Sequence, residues 1–344
     1  MAALSGTTQT YDNIGLREDL SDVIFDLFPE DTWCLSNFDR EEASATLTEW
    51  LAQELAVPAI NASEEGGDGV FASLTPPTRY STHLQISSKT FIVSDTNEAV
   101  NKAGRKSDIA RGAIVKMREL KRDMESAICG RQISSEGGAG TARTTAGMEA
   151  WIGDATASVG GPSHVVLASS ASGYTTPPVT SGHPTTASTV GTTPTLFAFT
   201  STSLHYALQQ VWENGGDARV ILCDAGRKRA IDAFTSIATR FVDVSQGAQA
   251  SITGAANVYV SDFGKHQVIL NRYGGNGATA DGLTVSTVLC IDPSYWAVRY
   301  LRRPFKRELA KTGDATKYQI LTEWGLVARN WKANSKIVGC AAAT

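Results

Sequence analysis

Cysteine is scarce and scattered in this chain, with five residues at positions 34, 129, 223, 290 and 340 and no C-x-x-C pair. That pattern reads as separate reduced thiols, and neither a disulfide framework nor a zinc module is expected from it. No apolar run reaches the length of a membrane-spanning helix, so no membrane partner is expected. The first 22 residues are polar and acidic, without the basic start and apolar stretch of a secretory signal, which points to a protein made in the cytoplasm. Catalytic signatures are missing as well. There is no phosphate loop, no strand–G-x-G-x-x-G–helix unit, no H-E-x-x-H and no G-x-S-x-G elbow. Ser163-His164 stands in a stretch without a carboxylate to orient the imidazole, so it is a poor nucleophile–base pair. Gly274-Gly-Asn-Gly277 falls between strands and reads as a hairpin turn. An enzyme is not expected, and no cofactor or metal is implied.

Charge is unevenly placed. The net charge is −4, yet residues 1–100 carry 17 acidic and 4 basic side chains, so everything after them is net positive. Residues 301–344 alone carry 9 basic and 3 acidic side chains. Either these are solvated faces, or an acidic segment of one copy lies against a basic surface of another, where complementary charge sets register. Residues 155–212 contain no Asp, Glu, Lys or Arg, and up to Thr202 they read as a Ser/Thr/Gly-rich, loop-rich insertion.

Periodicity supplies the elements. Residues 1–42 mix acids with a few large apolar groups, Trp33 and Phe38 among them, and suit an extended arm better than a domain. Ala45–Leu55 and Arg79–Val93 alternate as strands around the acidic tip Glu64, Glu65 and Asp68, a long hairpin that is marginal alone. From Ser94 the period becomes helical. Ser107 caps a helix from Asp108 to Cys129, stopped at Gly130, with Ala110, Ala113, Met117, Leu120, Met124 and Ala127 as its apolar stripe. Its other faces carry Arg111, Arg118 and Arg122, candidates for diffuse contact with phosphates. A helix–strand–helix run follows from Thr202, with Asp224 as a cap, and strands continue to Val338. The class is α+β.

Several strings together resemble the major head (capsid) protein family of tailed bacteriophages, the podovirus-like branch. They are residues 92–107, Glu119–Glu125, Thr141–Trp151, Val211–Gly216, Tyr259–Gly264, Ile291–Val298 and Glu308–Asp314. The resemblance implies the Hong Kong 97-type capsid fold. On it, 1–42 would be the N-terminal arm, 43–94 the extended loop, 95–135 the peripheral domain with its spine helix and 136–200 an insertion. Residues 201–292 would be the axial domain, and 293–344 the return strands of the peripheral domain. It also implies a structural role: hexamers and pentamers closing an icosahedral head around double-stranded DNA, in a virion assembled in the host cytoplasm. Portal, scaffolding and decoration proteins would be further partners. The alternative weighed beside it is a phage decoration or adhesin-type protein. Trp33, Glu64, Glu65, Asp68, Arg302, Arg303, Arg307 and Lys311 are the candidate subunit-interface residues. In one branch of the fold a loop lysine forms an isopeptide cross-link. Here the first lysine is Lys89, at the base of the hairpin, so no such link is expected.

Overall fold

The computed structural model describes Ile24 and residues 31–56, 58, 60–62, 65–66, 73–102, 104–153, 158–159, 165–167, 174–175, 182–184, 189–190, 199–234, 258–273, 277–278, 284–311 and 313–340. The rest of the arm before residue 31, Glu64 and Asp68 at the hairpin tip, Asn276 and most of the uncharged stretch lie outside this set.

In chain order the elements are α1 (Trp33–Asn37), β1 (Asp39–Glu42), β2 (Leu47–Ala52), β3 (Thr78–His83), β4 (Gln85–Ser94), α2 (Asp95–Ala99), α3 (Asp108–Cys129) and α4 (Met148–Trp151). Short strands β5 (Ser158–Val159), β6 (Val165–Leu167), β7 (Tyr174–Thr175) and β8 (Thr189–Val190) precede α5 (Ser201–Glu213), β9 (Val220–Cys223) and α6 (Ala225–Ala233). Then follow β10 (Val258–Ser261), β11 (Gly264–Leu270), β12 (Gly277–Ala278), β13 (Thr284–Ile291), β14 (Trp296–Glu308), β15 (Ala315–Ala328) and β16 (Ser335–Cys340).

The helices begin where local chemistry allows. Ser107 Oγ accepts from Ala110 N at 3.2 Å to open α3. Asp224 Oδ1 does the same for Arg227 N at 3.1 Å in α6, and Thr200 and Ser203 form a reciprocal cap on α5. Each satisfies a backbone donor that the first helical turn leaves without a partner. The expected apolar stripe of α3 holds only in its second half. Leu120, Met124, Ile128 and Cys129 are buried, Met117 and Ala127 are partly so, and Ala110 is exposed. The first half rides over β4, where Phe91 lies beneath Gly112 and a Cβ there would come within 3.0 Å of the ring. Glu125 lies on the buried face rather than among the surface charges.

Two sheets share the core. A four-stranded sheet runs β1-β14-β15-β4, with β1 parallel to β14 and the other pairs antiparallel. A larger mixed sheet runs β10-β11-β9-β13-β16-β6-β5, with β12 added on β13. The spine helix α3, α1 and α4 pack against the first sheet and the near face of β9 and β13, around Trp151, Trp296 and Trp324. Helix α5 and α6 cover the other face of the second sheet.

Two expectations change here. The strand expected from Arg79 to Val93 is broken at Leu84. β3 pairs with β2 as a hairpin, whereas β4 pairs along its whole length with β15. Alternation continues through the break, so periodicity alone could not show the change of partner. Residues 33–42 are also no free arm, because Cys34, Leu35 and Phe38 are core residues and β1 is a sheet strand. The insertion contributes as well: β6 extends the larger sheet beside β16.

Candidate assembly surfaces

The parallel register of β1 on β14 sets Glu41 opposite Arg299. Arg299 Nε donates to Glu41 Oε2 at 2.5 Å, and Arg329 Nη2 donates to Oε1 at 2.5 Å. Arg329 Nη1 also donates to Asp39 Oδ2 at 2.7 Å. Burial works against the Glu41 charge, but the hydrogen bonds from Arg329 and Arg299 outweigh it and hold its pKa below the usual glutamate value. Arg303 reaches Glu42 at 3.0 Å, Arg272 reaches Asp31 at 2.6 Å, and Lys332 reaches Glu54. The acidic beginning and the basic end therefore meet within one chain. Part of the basic cluster thus has acidic partners in its own chain. Arg302 is paired with Glu323, Arg303 with Glu42 and Lys311 with Asp95. Arg307 is exposed and has no ion pair among the described residues.

Trp33 is likewise turned inward, packing on the core edge-on to Phe38 with ring centroids 6.3 Å apart. The hairpin has two contrasting faces. Trp50, tilted, and Tyr80, edge-on, pack against buried Trp151 with centroids 5.5 and 6.5 Å away, and anchor its base. Farther out Leu51, Leu55, Ile60 and Leu74 are open to solvent, the last three at 94% or more. Glu65 beside them is exposed too. A two-stranded ribbon carrying bare leucines has too little area to stabilise itself, although Ser81 N on its β3 edge donates to the Gly182 carbonyl at 2.7 Å.

On α3, Arg111 and Arg118 line a shallow recess with Arg105 and Ile114. Arg122 is engaged differently: its Nε donates to Tyr273 Oη at 2.9 Å and the guanidinium lies over that ring. Arg122 thus fastens α3 to the chain after β11.

Sequence reading missed three buried polar groups. Glu323 is held between Arg143 at 2.7 Å and Arg302 at 2.9 Å. Lys336 is fully buried on β16 and donates to the Glu149 carbonyl at 2.6 Å, and burial lowers its pKa to about 8. Glu125 accepts from Cys34 N at 2.8 Å and Leu35 N at 2.9 Å, next to Cys129, and burial raises its pKa. The available signal was an acid or lysine at an apolar register position.

A model of the SU10 major capsid protein family matches residues 3–341. The chain belongs to that family. It is 23% identical to the major capsid protein of Escherichia phage Phieco32 over 344 residues, covering 93% of each chain. Among solved structures it is similar to the capsid of cyanophage P-SCSP1u, with TM-score 0.60, 10% identity, and 99% and 97% of the two chains covered. It is also similar to the capsid of a native GTA particle, with TM-score 0.58, 13% identity, and 98% and 100% covered. The fold of this major capsid protein is the Hong Kong 97-type fold, and α3 is its longest helix among the described residues. It is a virion component, and its family is structural. None of its helices among the described residues is long and apolar enough to cross a membrane.

Proposed function

We propose that this capsid protein forms hexamers and pentamers that close into an icosahedral head around double-stranded DNA, in the host cytoplasm, with the β2–β3 hairpin lying over an adjacent copy. The observation that carries the reading is the hairpin itself. Its base is packed against Trp151, and its far part bears Leu51, Leu55 and Leu74 in the open. Apolar side chains at such exposure are stabilised by a covering surface, and a shell of identical copies supplies one at every position. Glu65, with Glu64 and Asp68 beside it in sequence, and exposed Arg307 remain proposed interface residues. Arg302, Arg303 and Lys311 act instead by shaping the surface from within their own chain. Arg111 and Arg118 are proposed to meet packaged DNA without sequence preference. Portal, scaffolding and decoration proteins would contact the finished lattice.

Negative-stain electron microscopy of the full-length protein expressed alone tests this reading. Shells, tubes or capsomers are expected, and a Leu51→Asp/Leu55→Asp variant should remain folded by circular dichroism yet form none. Isolated monomers from the wild-type chain, or normal shells from the variant, would overturn it.

A further inference from the structure

Where α1, the last turn of α3 and the end of β11 meet, four polar groups converge in the core. Cys34 Sγ and Cys129 Sγ are 3.5 Å apart. Glu125 offers a carboxylate oxygen, and these three candidate ligand atoms all lie within 4.8 Å of one another. Asn271 Nδ2 is 3.2 Å from Cys129 Sγ, 3.8 Å from Cys34 Sγ and 3.3 Å from Glu125 Oε1. All four residues are buried.

We propose that Cys34, Glu125 and Cys129 form a binding site for a divalent cation of the zinc class, which staples the arm anchor to the spine helix.

Size supports this. With zinc–sulfur bonds of about 2.3 Å and zinc–oxygen bonds of about 2.0 Å, tetrahedral geometry puts two sulfurs about 3.8 Å apart and sulfur and oxygen about 3.5 Å apart. The S–S separation of 3.5 Å falls near the first value, and the Glu125 oxygen lies within 4.8 Å of both sulfurs, close enough for one cation to reach all three. Charge supports it too. Among the described residues no lysine or arginine is ion-paired with Glu125, whose carboxylate is met by the neutral amides of Cys34, Leu35 and Asn271, and a buried charge without a counter-charge is costly. A divalent cation supplies the missing positive charge. Two thiols and one carboxylate select zinc-like ions over magnesium or calcium. Binding is a simple exchange without oxidation, since the cation enters and the protons of Cys34, Cys129 and any carboxylic acid form leave to solvent. The Asn271 amide stands at the fourth corner. Turned end for end it offers Oδ1 to the cation, giving up the bond that Oδ1 accepts from Tyr273 N at 2.8 Å.

The test uses full-length protein, incubated with Zn²⁺, freed of excess by gel filtration and analysed for metal by mass spectrometry. About one zinc per chain is expected, dropping roughly tenfold or more in Cys34→Ser/Cys129→Ser and unchanged in Cys290→Ala. Cobalt(II) in place of zinc should give tetrahedral visible bands with a thiolate-to-cobalt band in the near ultraviolet. Glu125→Gln keeps the side-chain size and an acceptor for one of the two α1 amides that Glu125 serves, so it is a milder second variant beside the serine pair. It should weaken zinc binding roughly tenfold with unchanged circular dichroism. Wild-type protein that takes up no zinc, or zinc retained by the double serine variant, would overturn the site. So would thiol counting on zinc-free, denatured protein that finds two fewer than the five free thiols, because the pair would then be a disulfide.

Discussion

Arg143 and Glu323, 180 positions apart in sequence, are joined at 2.7 Å on the four-stranded sheet, and Arg302 closes on the same carboxylate from β14 at 2.9 Å. Glu323 is only 3% exposed. Removing the acid leaves the partly exposed Arg143 and Arg302 guanidinium groups without their shared carboxylate. Glu323→Ala should destabilise the protein by on the order of 1–2 kcal/mol, read as a lower midpoint in urea. A midpoint within error of wild type would show that water satisfies the arginines.

Leu120 and Met117 should separate under the same substitution. Leu120 is 1% exposed whereas Met117 is only partly buried. Leu120→Asp places an unpaired carboxylate in the core at a cost of several kcal/mol, roughly, and should yield no soluble protein. Met117→Asp should fold with a modest loss. Equal solubility of the two would contradict the burial gradient along α3.

The seam between β1 and β14 should respond to charge reversal. Glu41→Lys sets three positive side chains together, and should expose residues 31–42 to limited proteolysis. Adding Arg299→Glu restores one pair and should recover protection in part, a coupling of about 1–2 kcal/mol. Because these pairs lie within one chain, high salt should loosen the exposed Glu42–Arg303 contact first.

Lys336 makes stability depend on pH in a defined direction. Its ordinary value is 10.5, and burial lowers it to about 8, with Glu149 and Arg131 as its charged neighbours. Below pH 8 both folded and unfolded chains hold the proton, and the folded state bears the cost of a buried ammonium. Between pH 8 and 10.5 the folded lysine loses its proton first, the unfolded chain binds more protons, and stability rises. Lys336→Met should lack this rise, so the stability of wild type relative to the variant should increase between pH 8 and pH 10.5. Comparing the two proteins cancels the opposing contribution of Cys223, Cys290 and Cys340, whose thiols burial pushes up to about 12. A gap independent of pH would show that the amine is neutral or solvated throughout.

Particles should contain no loop-lysine cross-link. Lys89 is committed to Asp123 at 2.6 Å on the spine helix, and Arg79, the one basic side chain among residues 43–88, keeps its proton and cannot act as an amine nucleophile. Boiling in detergent with reductant should give a single band near 36.6 kDa. A ladder resistant to reductant would refute this.

Much of the fold was legible because its determinants are local. Ser107 and Gly130 bracket α3 at the observed ends, and Asp224 and the apolar run at 220–223 mark β9 and α6. What escaped depends on partners far along the chain. Glu41 reads as one more surface acid until β14 is laid beside it 258 positions later. Glu125 shares its turn with Lys121 and Arg122, and nothing in that turn reveals that Cys34 and Asn271 close over it. The candidate interface residues Arg302, Arg303 and Lys311 were legible as charges, while the acids of their own chain that lie beside them, Glu323, Glu42 and Asp95, were not.

The change of partner at Leu84 has a mechanical meaning. No loop separates β3 from β4, and Gly325 is bare enough to let Leu84 sit against it: a Cβ there would fall 2.6 Å from Leu84 Cδ2. One continuous backbone thus serves as a tie rod. Tension applied to the outlying ribbon passes, through covalent bonds, into the strand that runs under the long helix and along β15. Load on the ribbon is borne in shear by ten residues of ladder between β4 and β15, instead of peeling hydrogen bonds one at a time. A wall made of such pieces would resist bursting best along the direction of that strand.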